Sequence, residues 1–218
     1  MKTTPFLVLK HTVSLTLHAY ANWRVGATLL EKSCYKQTDS VLLTFDDYGT
    51  AEEVHEILQI LEDKHVKAMF FLQGDWAARS SELVADIAAK GHAIGNHTTT
   101  HPVLIGLPEA TVQAEISGGM PGPWFRPPQG RYNKKIRQWA AQLGYVICYW
   151  HIDSRDWTGA SVAEMRHTIL SELHPGATIL FHLHGAHTRE LLPDLIDEIR
   201  SQGHALTSLG ETWLPVAN

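Results

Sequence analysis

The sequence predicts an α/β fold built on a mostly parallel sheet. Short apolar, β-rich runs alternate with helical patterns from about residue 41 onward, and glycines follow several of the helical stretches. Reactive polar residues recur where the apolar runs end.

The first candidate strand, residues 41–46, opens with Val41-Leu42-Leu43. A helical pattern over 51–64 follows, with Val54, Ile57, Leu58 and Leu61 spaced to give one apolar face. The second strand, 68–72, is continuously apolar (Ala68-Met69-Phe70-Phe71-Leu72) and suits a sheet covered on one face and filled on the other. Further strands are expected at 93–97, 124–126, 145–150, 178–182 and 205–208, with helices at 76–90, 109–117, 133–143, 162–173 and 190–201. Gly91, Gly144 and Gly203 each stand where a helix should end. About seven strands fit an open doubly wound sheet or a closed or partly closed barrel. No glycine-rich phosphate-binding motif follows any strand, so nothing favours a nucleotide-binding open sheet.

A chain of 218 residues with 44% hydrophobic composition supports one substantial core. The reading is one domain, residues 35–218, after an N-terminal leader of residues 1–34. In that leader, Lys2, an apolar run over 6–9 and Ala19-Tyr20-Ala21 are weak signal-peptide cues. Lys10 and His11 interrupt the run, and the alternation of Val13, Leu15, Leu17 and Ala19 with polar residues reads instead as a half-buried strand. No window is long and apolar enough for a membrane-spanning helix. Net charge is -5, and Arg131, Lys134, Lys135 and Arg137 read as one solvated helix face, so nucleic acid is not an expected partner. Cys34 and Cys148 lack metal-ligand spacing; they could pair, but two buried free thiols is the simpler expectation. The sequence carries no signal of oligomeric state.

Asp46, Asp47, His97, Arg126, Asp153, Asp156 and His182 all fall at or just past the C-terminal ends of predicted strands. Parallel strands bring those ends to one face, where active sites gather. Asp46-Asp47 alone fits a solvated turn, but buried it needs a cation or hydrogen-bond donors. His97 and His101 have the spacing of one side of a helical turn, suited to clamping an ion, although Gly91 and Gly95 favour a tight irregular segment over a plain surface helix, and 14 histidines in the chain make chance pairs common. Joined, Asp47, His97 and His101 make a three-ligand set that suits catalytic zinc, and equally cobalt, manganese or ferrous iron. Asp46 is then free to act as a base. His182 and His184 form a rival H-x-H pair; the preferred reading makes His182 an acid and leaves His184 and His187 on the rim.

At these residues the sequence resembles the polysaccharide deacetylases of carbohydrate esterase family 4, the NodB-homology group. Five segments match in order: Thr44-Phe45-Asp46-Asp47, His97-Thr98-Thr99-Thr100-His101, Phe125-Arg126-Pro127-Pro128-Gln129-Gly130, Asp153-Ser154-Arg155-Asp156-Trp157 and Leu180-Phe181-His182. The resemblance implies a distorted, partly closed (β/α)7-type barrel. It implies one divalent ion, zinc first, on Asp47, His97 and His101, with Asp46 as base and Arg126 paired to it. Asp156 would orient His182, the acid; the Gln129 backbone N–H would face the oxyanion; Trp157 and Leu180 would line the groove. The substrate class would be an N-acetylated glycan, peptidoglycan or chitin-like, which lies mostly outside the cytoplasm and sits awkwardly with so weak a leader. Alternatives are a cyclic-amide or ureide hydrolase of the allantoinase type and a catalytically silent carbohydrate-binding module. The chain departs from the family at Tyr48-Gly49, where many members have Gly directly, at Gln129, where Tyr is usual, and over the short stretch 102–123.

Overall fold

The computed structural model of the protein describes residues 39–207. The leader, with its strand and signal readings, and Cys34 lie outside the described residues. Cys148 is fully buried and disulfide-bonded, which corrects the expectation of a free thiol.

Among the described residues, seven strands form one sheet: β1 (Leu42–Asp47), β2 (Ala68–Leu72), β3 (Ala93–Asn96), β4 (Trp124–Phe125), β5 (Val146–Ile147), β6 (Ile152–Asp153) and β7 (Thr178–His182). Their order is β5-β4-β3-β2-β1-β7-β6, and every pairing is parallel. The sheet curls into a half-barrel, the partly closed architecture that the resemblance implied. Seven α-helices accompany it among the described residues: α1 (Ala51–Asp63), α2 (Gly74–Arg79), α3 (Ser81–Ala89), α4 (Glu109–Ser117), α5 (Lys134–Gln142), α6 (Val162–Glu172) and α7 (Thr188–Ser201).

Strand alternation divides the core. On β1, Leu43 and Phe45 join the large cluster that takes in Val54, Ile57, Leu58 and Leu61 of α1 and Leu191, Leu192, Leu195, Ile196 and Ile199 of α7. Phe45 stacks between Phe70 and Phe181, with ring centroids 5.2 and 5.6 Å apart. Each such side chain contributes about 1.5–3 kcal/mol by leaving water. The alternate residues point inward. Leu42, Met69 and Phe71 pack with Ala93, Trp124 and Cys148 in the barrel interior. By the same period of two, Thr44 and Asp46 on β1, and Leu180 and His182 on β7, turn toward the interior. Asp46 and His182 are register partners across the β1–β7 pair. The pattern that builds the core therefore aims two reactive side chains at one place.

Helix ends follow sequence rules. Thr50 and Glu53 form a capping box on α1, and Ser161 and Glu164 form another on α6. Gly91, Gly144 and Gly203 have φ of 78°, 84° and 84°, as left-handed helix terminators require.

Several expected boundaries change. The helix expected over 76–90 is two helices, because Ser80 (φ -125°, ψ 38°) leaves helical geometry and caps both. The strand expected over 145–150 stops at Ile147. Tyr149 and Trp150 are buried instead, and the chain rejoins the sheet as β6 at the opposite edge. Of 205–208, only a bridge from Leu206 to Val41 is formed within the described residues. Arg131 is not on the α5 surface with Lys134 and Lys135; it precedes the helix and lines a cleft.

Candidate active site

The C-terminal ends of the strands surround a cleft of about 660 Å³. Every residue expected to carry chemistry except Arg126 and Asp156 lines it: Asp46, Asp47, His97, His101, Gln129, Trp157, Leu180 and His182. Arg126 and Asp156 lie directly behind, each bonded to a lining residue.

Asp46 is buried, and its Oδ1 accepts from Arg126 Nη1 at 2.6 Å. Arg126 is fully buried. Nη1 also donates to Thr44 Oγ1 (2.8 Å), Nε to the Cys148 carbonyl (3.2 Å) and Nη2 to the Tyr149 carbonyl (3.0 Å). The guanidinium carbon sits 4.0 Å from the Phe71 ring centroid. Burial pushes the Arg126 pKa down and Asp46 pulls it back up. A guanidinium stays charged in proteins, so Asp46 has a permanent partner.

The histidine pair sits in an irregular segment, as the neighbouring glycines suggested, and not on a helical turn. His97 follows β3, and His101 lies within an irregular loop in which Thr98 (φ 65°) and His101 (φ 62°) are left-handed. Polar side chains replace the missing helix. Asn96 Oδ1 accepts from Thr98 N (2.8 Å), and Thr98 Oγ1 accepts from His101 N (3.0 Å). Glu115 of α4 accepts from Thr99 N, Thr100 N and Thr100 Oγ1 at 2.8–3.1 Å. The loop folds both imidazoles over Asp47, whose own φ is 76°.

His97 Nδ1 lies 2.7 Å from the Arg126 carbonyl, which can only accept, so Nδ1 carries a proton. His97 Nε2 and His101 Nε2 each lie 3.3 Å from Asp47 Oδ1. Were His97 neutral, two lone pairs would face each other there, an arrangement that needs a cation between them. The spacing exceeds a charge-assisted hydrogen bond of about 2.7–2.9 Å. It matches the ligand separation of about 3.3–3.6 Å on a tetrahedral ion with bonds of about 2.0–2.2 Å. The donor set therefore fits a divalent metal. Burial opposes the Asp47 carboxylate, but the close approach of His97, with His101 and His182, holds its carboxyl well below the usual range. Burial, reinforced by His97, lowers the pKa of His101, which favours the neutral form that binds metals. Among the described residues, these three are the one His/Cys/Asp/Glu cluster with metal-ligand geometry.

The rival H-x-H pair is not such a cluster. β7 ends at His182, and the ring centroids of His182 and His184 lie 5.8 Å apart. His184, which lines the cleft, stacks on Tyr48 at 4.7 Å. His187 is turned to Glu190 (2.9 Å) and is not among the residues that line the cleft.

His182 faces the cleft from the other side. Its Nδ1 lies 2.7 Å from Asp156 Oδ1, and its backbone N–H donates to Asp156 Oδ2 at 2.7 Å. Thr188 Oγ1 donates to the same Oδ2, and a Cβ on Gly185 would collide with it. Burial disfavours a charged His182, but the bond to Asp156 and the fields of Asp156, Asp46 and Asp47 outweigh it and raise its pKa to about 9. Trp157 is 51% exposed, its Nε1 anchored on Asp153 Oδ1 at 3.3 Å; Leu180 is buried in the floor. Gln129 is exposed with a left-handed backbone (φ 55°).

The sequence reading missed Gln73, Glu115, Tyr149 and Trp150. The latter two also line the cleft. These four reach the site through tertiary contacts alone, whereas Asn96, which holds the histidine loop, has a local signal as an Asx-type residue before an irregular segment.

A half-barrel with an Asp-His-His cluster at its strand ends defines an α/β-barrel protein with a candidate metal centre. More narrowly, the chain belongs to the polysaccharide deacetylase family, whose model matches residues 35–148. It is 34% identical over 169 residues to the uncharacterized protein YlxY of Bacillus subtilis, covering 73% of this chain and 53% of that protein. It is 32% identical over 182 residues to a peptidoglycan-N-acetylglucosamine deacetylase of Bacillus cereus, covering 78% of this chain and 66% of that one. The chain thus spans between about half and two thirds of these relatives. Among solved structures it resembles a mutant of BA3943, a family pseudoenzyme of Bacillus anthracis, with restored enzymatic activity. That match has a TM-score of 0.75 at 27% identity and covers 82% of this chain and 68% of the other.

Proposed function

We propose that this chain is a metal-dependent deacetylase that hydrolyses N-acetyl groups of an amino-sugar polymer or oligomer, peptidoglycan or chitin-like. The observation that carries the proposal is the convergence of Asp47, His97 and His101 at ligand spacing beside the separately held Asp46. Asp47, His97 and His101 hold the ion, zinc first, with cobalt, manganese or iron as alternatives. A bound divalent ion supplies Lewis-acid polarisation and makes water more acidic.

Asp46 accepts a proton from the water that attacks the acetamide carbon, and Arg126 keeps the carboxylate oriented for that transfer. The Gln129 N–H stabilises the developing oxyanion, a role in which one donor contributes about 10²–10³ in rate. His182 gives its proton to the departing amine nitrogen as the C–N bond breaks, leaving acetate and a free amino sugar. Asp156 fixes the ring and favours its charged form. Trp157 and Leu180 offer apolar surface to the sugar ring and the acetyl methyl. The full set of base, acid and ligands in one cleft supports an active enzyme.

The test is acetate release from N-acetylglucosamine oligomers and peptidoglycan, with chelator and with added zinc, cobalt or manganese. Release should stop on chelation and return with metal. It should also decline as His182 loses its proton, at a pH between its ordinary 6.5 and about 9, because a bound cation offsets part of the pull of Asp46 and Asp47. Chelator-resistant release, or ring opening of a cyclic ureide without acetate release, contradicts the proposal.

A further inference from the structure

We infer that Gln73 is a positioning residue for the metal centre, orienting the Asp47 carboxylate toward the two imidazoles; the inference rests on the metal-centre reading above. Gln73 follows β2 directly, and Leu72 is the register partner of Asp47. Its side-chain Nε2 donates to Asp47 Oδ1 at 3.2 Å, and its backbone N–H donates to the Asp47 carbonyl at 3.2 Å. The next two N–H groups, of Gly74 and Asp75, donate to the carbonyls of Thr98 (2.9 Å) and Thr99 (3.0 Å). One three-residue segment thus ties the carboxylate loop to the histidine loop. That segment has no room to drift. A Cβ on Gly74 would lie 2.7 Å from the Gly118 carbonyl oxygen and 2.9 Å from Gly119 Cα.

The chemistry of the amide fits the task. The terminal torsion of an Asp side chain is broad, so a free carboxylate samples many orientations. Each of its oxygens has two lone-pair directions. An amide N–H on one direction of Oδ1 leaves the other for the point that His97 Nε2 and His101 Nε2 both approach at 3.3 Å. A lysine or arginine could orient the carboxylate too, but its positive charge would compete with the ion. Glutamine orients without neutralising. Such outer partners of metal ligands typically govern about 10–100-fold in metal affinity.

The experiment compares wild type with Gln73→Met, which keeps length and loses the donor, and with Gln73→Asn, which stays polar and is one methylene short. Apo proteins are titrated with Zn²⁺ and Co²⁺ against a competing chelator, the Co²⁺ absorption spectrum is recorded, and thermal unfolding of each apo protein is measured. Both variants should bind metal about 10–100-fold more weakly and show altered Co²⁺ bands, with apo unfolding midpoints near that of wild type. Wild-type affinity and spectrum in either folded variant overturns the role of Gln73 and leaves the metal centre standing. A wild-type protein that takes up neither ion overturns the metal centre, and this inference with it.

Discussion

Asp46→Asn should lower turnover by about 10²–10⁴-fold, the range that a positioned general base contributes, while metal content stays that of wild type. The substitution is nearly isosteric, and the amide oxygen can still accept from Arg126 Nη1, so the site should keep its shape. What disappears is basicity at the one inward-facing β1 carboxylate not assigned to the metal. Asp46 Oδ2 lies 3.8 Å from His97 Nε2, farther than Asp47 Oδ1 at 3.3 Å, consistent with the different tasks given to the two aspartates. Turnover on an N-acetylglucosamine oligomer, with metal measured on the same preparation, checks the expectation. Near-wild-type turnover would remove Asp46 from the mechanism; loss of metal along with activity would make it a ligand.

Arg126→Met should destabilise the fold by about 3–5 kcal/mol, the usual cost of stripping one partner from a buried ion pair. The side chain is fully buried and serves Asp46, Thr44 and two backbone carbonyls at once. Methionine fills much of the volume over Phe71 and supplies none of the donors. Most of the loss should come from the uncompensated Asp46 carboxylate. The double variant Asp46→Asn/Arg126→Met should therefore recover part of it, a coupling visible in a double-mutant cycle. Urea unfolding measures all three. A change below about 1 kcal/mol for Arg126→Met would mean that Asp46 finds another partner or is neutral in the native state.

Much of this site is legible in the amino-acid sequence because its parts obey two simple periodicities. Alternation along β1 and β7 puts Asp46 and His182 on the inner face, and parallel strands gather their C-terminal ends. The sequence reading therefore grouped residues that the structure brings to one cleft. His97 and His101 have the spacing of a helical turn, while Gly91 and Gly95 favour an irregular segment. The pair converges from a loop, because Asn96, Thr98 and Glu115 take up its backbone N–H groups. Glu115 is distant in sequence and Gln73 sits in a strand-to-helix junction, so neither leaves a local trace. The break at Ser80 and the early end of β5 were hidden for a similar reason. Both stretches have sound local propensity, and packing overrides it. Tyr149 and Trp150 look like ordinary strand residues in sequence, yet the cleft wall takes them out of the sheet.

Everything catalytic in this account depends on one ion seated among Asp47, His97 and His101. Anomalous diffraction from crystals grown with Zn²⁺ or Co²⁺ tests this most directly. The account predicts a single strong peak within about 2.0–2.2 Å of Asp47 Oδ1, His97 Nε2 and His101 Nε2. A peak at His182 and His184 instead, or clear density for the three side chains with no ion between them, would contradict it.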